Sequence, residues 1–81
     1  MWFVYIIKCE DGSLYTGVTN DLKRRFLEHK NHKGGHYTSS HKVSEMVYSE
    51  QHDTRSLALK RERQIKGWKR EKKLGLINMS A

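Results

Sequence analysis

Trp2-Phe3-Val4-Tyr5-Ile6-Ile7-Lys8, then Glu10-Asp11-Gly12-Ser13, then Leu14-Tyr15-Thr16-Gly17-Val18 is the stretch that decides the fold. Its two arms are rich in β-branched and aromatic residues, and the polar, Gly-containing tetrad between them is a turn signal. The segment therefore reads as a β-hairpin. Side chains alternate along a strand, so Phe3, Tyr5 and Ile7 share one face and Trp2, Val4 and Ile6 the other. Both faces carry bulk, which predicts cover on both sides and a central position for the first strand.

Working outward, Asn20 is a good N-cap and Asp21 suits a first turn. Leu22, Arg25, Phe26 and His29 then recur at helical spacing before the Gly34-Gly35 break, predicting a helix of about three turns. Its stripe sets two basic residues, Arg25 and His29, beside the apolar Leu22 and Phe26. Such a conflict with core patterning marks functional sites, although side chains at a stripe's edge also reach water. Residues 31–42 lack periodicity and read as a long loop. Val43 to Glu50 reads as a third strand, with Met46 and Tyr48 on one face and Val43 and Val47 on the other. Asp53 or Thr54 caps a second helix bearing Leu57, Ala58, Arg61, Glu62 and Ile65. Gly67 weakens it, and Trp68 to Leu74 reads as a further short helix ended by Gly75. The order β-β-α-β-α-α predicts one α+β domain over residues 1–81, a small three-stranded antiparallel sheet flanked by helices. The competing reading is an all-helical C-terminal half.

Composition narrows the function. Leu, Ile, Val and Phe number 17 of 81, so the core is small. The single cysteine, Cys9, excludes an internal disulfide and a cysteine-based zinc site. No apolar run approaches the roughly 20 residues of a membrane span, and no basic leader precedes the first strand, so the cytoplasm is the expected compartment and no membrane is a partner. The net charge of +7 is concentrated: residues 23–42 hold six Lys or Arg against Glu28, and residues 60–81 hold eight against Glu62 and Glu71. Two such blocks on one face suit a polyanion. Lys-rich helices that are merely well solvated would have the same composition.

Several residues are suited to chemistry. Gly17 inside a strand signals a bulge or a close approach to the backbone. A hairpin can bring Tyr5 and Tyr15 onto one face, Arg25 and His29 lie one helical turn apart, and Glu62 lies near Ala58 and Ile65 on a later helix. Phosphodiester hydrolysis needs a proton acceptor, a positive charge for the developing phosphorane and a carboxylate for a hard metal ion. The set contains each part. Taken alone, Glu62 and Lys66 also make a plain i,i+4 ion pair. His29, His32, His36 and His41 have irregular spacing and no cysteine, which argues against zinc and for lining a phosphate-binding surface. Trp68 among Lys66, Lys69 and Arg70 reads as core, with base stacking the alternative.

The segments Val4-Tyr5-Ile6 and Tyr15-Thr16-Gly17, the spacing of Arg25 and His29, and Glu62 within Ala58 to Lys66 resemble the GIY-YIG endonuclease superfamily, in particular its small stand-alone bacterial members. The resemblance spans essentially the whole chain. It implies a three-stranded antiparallel core and metal-dependent cleavage of DNA. Tyr5 matches the tyrosine of the first motif, Tyr15 and Gly17 the ends of the second, Arg25 and His29 the helix pair, and Glu62 the metal-binding glutamate. In that picture Glu62 holds one Mg²⁺, or Mn²⁺ in its place, Arg25 stabilises the transition state, and a tyrosine, Tyr5 ahead of Tyr15, activates water with His29 orienting it or competing for the role. A phenol is a poor base at neutral pH unless positive charge such as that of Lys23, Arg24 and Arg25 lowers its pKa. Gly17, Lys23, Arg24, Lys30, Lys33, Lys66 and Lys69 are the expected nucleic-acid contacts. DNA is the expected partner, RNA the second, and a protein partner stays open. The chain departs from the pattern at Phe3, where the motif has glycine, and at Val4 and Thr16, where it has isoleucine. Phe3 predicts narrowed access beside Tyr5, and a noncatalytic nucleic-acid-binding module is the rival reading.

Overall fold

The hairpin stretch forms β1 (Trp2–Cys9) and β2 (Leu14–Thr19), joined by a turn in which Gly12 has φ +86° and Asp11 Oδ1 accepts from the Ser13 backbone N–H at 2.9 Å. Glycine supplies that left-handed conformation without Cβ strain. The structure, a computed structural model, describes residues 1–31 and 41–79. Its other elements are α1 (Leu22–Lys30), β3 (Val43–His52), α2 (Arg55–Lys66) and α3 (Arg70–Met79). The strands form one antiparallel sheet in the order β2-β1-β3, so β1 is central. The order β-β-α-β-α-α and the α+β class are as the sequence indicates.

Both faces of β1 are covered. On one, Tyr5, Ile7 and Cys9 pack with Val43, Tyr15, Met46 and with Leu22 and Phe26 of α1. On the other, Val4 and Ile6 pack with Ala58 and Ile65 of α2, and Trp68, Leu76 and Ile77 add to that side.

Three local expectations change and one open alternative is settled. The cap of α1 is Asp21, one residue beyond Asn20: its carboxylate accepts from the Arg24 N–H at 3.0 Å, while Asn20 Oδ1 takes the Arg24 guanidinium. Both residue types cap well, and the hydrogen bonds joining Thr19 Oγ1 to Asp21 place the second of them. Thr54 rather than Asp53 caps α2, accepting from the Leu57 N–H at 3.2 Å. In β3 the face assignment is altered by register: Ile6 pairs with Tyr48 but Ile7 with Met46, so Val47 is an extra residue in the strand. A second shift follows, with Lys8 opposite Glu45 but Cys9 opposite Val43, and together they put Met46 with Val43 on the α1 side and Val47 with Tyr48 on the α2 side. Finally, α3 runs through Gly75 instead of ending there. Burial of Leu76 and Ile77 against the sheet outweighs the roughly 1 kcal/mol that glycine costs inside a helix. The all-helical reading of the C-terminal half is excluded by β3.

Candidate active site

Tyr5 sits in the middle of β1 directly opposite Gly17 of β2, and its ring lies across the glycine. A Cβ on Gly17 would stand 2.5 Å from Cζ and 3.0 Å from Cε1 of Tyr5. The close approach signalled by this strand glycine is therefore made by the tyrosine's own ring. Gly17→Ala is expected to lower stability by about 1–3 kcal/mol through overpacking and to displace the phenol; urea unfolding that matches wild type would contradict this.

The Tyr5 hydroxyl is the centre of a small polar network. It lies 2.7 Å from His29 Nε2 and accepts from Arg25 Nε at 3.3 Å. In the Nδ1–H tautomer of neutral His29 the phenol donates its own proton to Nε2 while accepting from Arg25. Tyr15 completes the group: its ring meets the His29 ring edge-on at 5.1 Å and the Tyr5 ring at 6.4 Å between centroids. The inward placement of Arg25 and His29 expected from the helix stripe is what α1 delivers, with His29 0 % exposed. Glu28 contacts Arg25 at 3.6 Å from the rim.

Burial governs the protonation of the pair. It pushes the Tyr5 phenol up to about 12, against the opposing effect of the Arg25 hydrogen bond. Burial, followed by the charge of Arg25, pulls His29 down to about 4, so the imidazole is neutral at pH 7. The linkage has a definite sign: unfolded His29 takes up a proton below about 6.5, whereas folded His29 resists until about 4. Stability present above pH 6.5 is therefore lost as pH falls, by up to about 3 kcal/mol from this residue. Asp11 and Glu50, also held low, contribute only below the ordinary carboxylate range. Urea midpoints should already fall between pH 6.5 and 5 in wild type and not in a folded His29→Gln variant; equal slopes would remove His29 as the cause.

The cleft in front of this network has a volume of about 490 Å³ and wraps the β2 edge of the sheet. Tyr5, Tyr15, Gly17 and Arg25 line one wall, and Glu62, Leu59 and Arg55 of α2 line the other. Glu62 is a partly buried carboxylate, 16 % exposed, with Lys66 Nζ at 3.4 Å. Glu62 thus makes the i,i+4 ion pair with Lys66 and also lines the cleft. Lys66 also stands 6.0 Å from the Tyr15 ring centre.

Five sequence-derived site residues, Tyr5, Tyr15, Gly17, Arg25 and Glu62, line the cleft, and His29 sits behind Tyr5. Lys23, Arg24, Lys30 and Lys69 are exposed and lie outside the lining. Lys33, with His32 and His36, falls outside the described residues, and His41 reaches Asp11 Oδ2 at 2.9 Å. Among the described residues no three His, Cys, Asp or Glu side chains form a metal-binding group. Trp68 packs on the core, with Lys72 Nζ 4.4 Å from its ring centre. Phe3 is not in the lining, so the expectation that it narrows the cleft is corrected: it pairs with Thr19 and Gln51, two register positions from the cleft residues Tyr5 and Gly17. Sequence reading missed Trp2, Val18, Arg55 and Leu59. For Arg55 and Leu59 a signal existed, because they lie seven and three residues before Glu62, on the same helical stripe. Trp2 and Val18 belong to the opposite sheet face from Tyr5, and only a cleft crossing the sheet edge recruits them.

A phenol, an imidazole and a guanidinium facing a carboxylate, on a basic α+β scaffold, are groups of the kind a nuclease-like domain uses. The family follows from comparison: residues 1–75 match the GIY-YIG catalytic domain, and the chain belongs to that family. It is 49 % identical over 76 residues to a UPF0213 protein of Staphylococcus saprophyticus, covering 94 % of this chain and 93 % of the relative. A UPF0213 protein of Staphylococcus epidermidis is 51 % identical over 75 residues, covering 93 % and 92 %. The solution NMR structure of a UPF0213 protein from Bacillus halodurans superposes with a TM-score of 0.58 at 34 % identity, covering 98 % of this chain and 85 % of that one. Membership implies a nuclease-like function on a nucleic-acid substrate. No helix among the described residues is long and apolar enough to cross a membrane.

Proposed function

We propose that this protein is a metal-dependent endonuclease that hydrolyses phosphodiester bonds in DNA. The observation that carries the reading is the Tyr5 hydroxyl, held between His29 Nε2 and Arg25 Nε on one wall of a cleft whose other wall bears Glu62. Glu62 suits Mg²⁺, or Mn²⁺, because a single carboxylate with hard oxygen donors matches a cation that keeps several waters and takes further ligands from the substrate phosphate. When bound, that ion supplies Lewis-acid stabilisation of the phosphate and the leaving oxygen. The exposed Lys66 pairing with Glu62 is worth only tenths of a kcal/mol and yields to a stronger partner.

The chain's own residues carry the proton. With its pKa pushed up to about 12 the Tyr5 phenol is protonated at neutral pH and accepts a proton only as it gives up its own, so the transfer is a relay. As the water oxygen bonds to phosphorus, its proton passes to Tyr5 Oη and the Tyr5 proton to neutral His29 Nε2, leaving an imidazolium opposite the negative phosphorane. The P–O bond to the leaving sugar oxygen then breaks, that oxygen takes a proton from solvent, and the imidazolium returns its proton through Tyr5 to solvent. Arg25 lies beside Tyr5 on the same wall, where its guanidinium meets the negative charge developing on the phosphorane. Tyr15 orients the water or the phosphate at the mouth. Gly17 is assigned to packing under Tyr5, and Lys66 to the phosphate backbone beside the site. Lys23, Arg24, Lys30 and Lys69 provide the surrounding positive field.

The test is incubation of purified protein with supercoiled plasmid, labelled duplex, branched and single-stranded DNA, and RNA, in Mg²⁺, Mn²⁺ or EDTA. Metal-dependent products support the reading. Binding across the panel without cleavage supports the noncatalytic module instead.

A further inference from the structure

On the α2 side of the sheet, away from the cleft, lies a second polar cluster centred on Glu50 of β3. Glu50 pairs in register with Val4 of the central strand. Its Oε1 accepts from the Tyr48 hydroxyl at 2.6 Å, its Oε2 lies 2.5 Å from His52 Nε2, and Arg61 Nε of α2 reaches both oxygens at 3.3 and 3.2 Å. The Arg61 guanidinium also donates to Gln64 Oε1 at 2.7 Å and lies 5.1 Å from the Trp68 ring centre. Glu50 is 18 % exposed and Arg61 27 %. This is a substantial polar investment by residues that do not line the cleft.

Ala58 and Ile65 are the buried residues of α2, a single apolar seam seven residues long, and the Arg61–Glu50 contact adds a second line of attachment, to β3. The cleft-lining residues Arg55, Leu59 and Glu62 occupy one stripe, and Arg61 immediately precedes Glu62 on another. Turning α2 by about 20° would carry a side-chain tip at a radius of about 6 Å through about 2 Å. Displacements of that size in a catalytic group cost about 10²-fold in rate.

We propose that Glu50 is a positioning residue: through Arg61 it fixes the rotation of α2 and thereby aims Glu62 and Arg55 into the cleft. The catalytic consequence rests on the nuclease reading above; the structural one does not. The guanidinium's planar fork, stacked over Trp68, transmits orientation in a way a lysine ammonium does not.

The experiment compares wild type with Glu50→Gln, which removes the charge at nearly constant shape, and with Arg61→Lys, which keeps the charge and removes the fork. Metal-free NMR reads position directly, through Overhauser contacts between α2 and β2 across the cleft, those of Lys66 with Tyr15 first among them. These should weaken in the folded variants, while contacts among Tyr5, Tyr15 and His29 stay as in wild type. Cleavage at saturating metal should fall about tenfold or more in kcat, with affinity for DNA in EDTA changed less than twofold. Folded variants with wild-type contacts across the cleft and wild-type kcat overturn the proposal, as does loss of the Tyr5 contacts to the same degree. If Glu50→Gln does not fold, Arg61→Lys decides by the same measurements. If wild type cleaves nothing, the nuclease reading fails, and the Overhauser contacts alone decide the role of Glu50.

Discussion

Glu62→Gln is expected to abolish metal-dependent cleavage, lowering kcat by about 10³-fold or more, with the fold intact. A bound cation contributes several kcal/mol of charge stabilisation in the transition state, and each 1.36 kcal/mol is a factor of about ten. Glutamine keeps the shape but offers hard cations only a neutral amide oxygen. The substitution is structurally mild, since Glu62 is outside the apolar cluster formed by Ala58 and Ile65 and its ion pair with Lys66 is half exposed. It also removes a negative charge from a basic cleft, so affinity for DNA in EDTA should stay the same or rise. The measurement is the plasmid and oligonucleotide assay in Mg²⁺ or Mn²⁺, beside thermal unfolding and binding of both proteins. A folded variant that cuts at the wild-type rate would dismiss Glu62 as the metal ligand.

Tyr5→Phe should cost about 10² to 10⁴ in kcat, the range of a general base or acid. It should also lower stability by about 1–3 kcal/mol, because buried His29 loses its partner at Nε2. The relay makes a sharper demand than loss of rate. His29 must be neutral to receive the proton, and with its pKa held near 4 the acid limb of the pH–rate profile belongs near 4 rather than near 6.5. A folded His29→Gln variant keeps a hydrogen-bonding group beside the phenol but cannot take up the proton, so it should lose both the rate and that limb. Tyr5→Phe retaining activity while Tyr15→Phe abolishes it would transfer the base to Tyr15. An acid limb near 6.5 in wild type would remove His29 from the relay.

The alternation within Trp2 to Ile7 was enough to place β1 in the middle of the sheet, since bulk on both faces has no stable home on an edge. The inward turn of Arg25 and His29 was equally legible, because the helical period is set by local geometry and puts them beside Leu22 and Phe26. Other features depend on partners remote in sequence. Gly17 announces an approach, but the approaching group is Tyr5, and the register of the hairpin was needed to identify it. The faces of β3 were misread because two extra residues, Val47 and Ser44, interrupt its alternation, so that Met46 and Val47 exchange sides while Val43 does not. Gly75 was misread as a stop because its local cost is small beside the burial of Leu76 and Ile77, which the helix acquires only by docking.

The sequence by itself determined the order of elements, the central strand and the residue types of the candidate site, all consequences of short-range periodicity and side-chain chemistry. Tertiary structure alone decided that the cleft crosses the β2 edge, drawing Trp2 and Val18 from one sheet face to join Tyr5 and Tyr15 from the other. It also decided which stripe of α2 faces that cleft. Three stripes of one helix are equivalent to a local reading, and the contacts that distinguish them, Ala58 and Ile65 on the sheet and Arg61 on Glu50, join residues that only folding brings together.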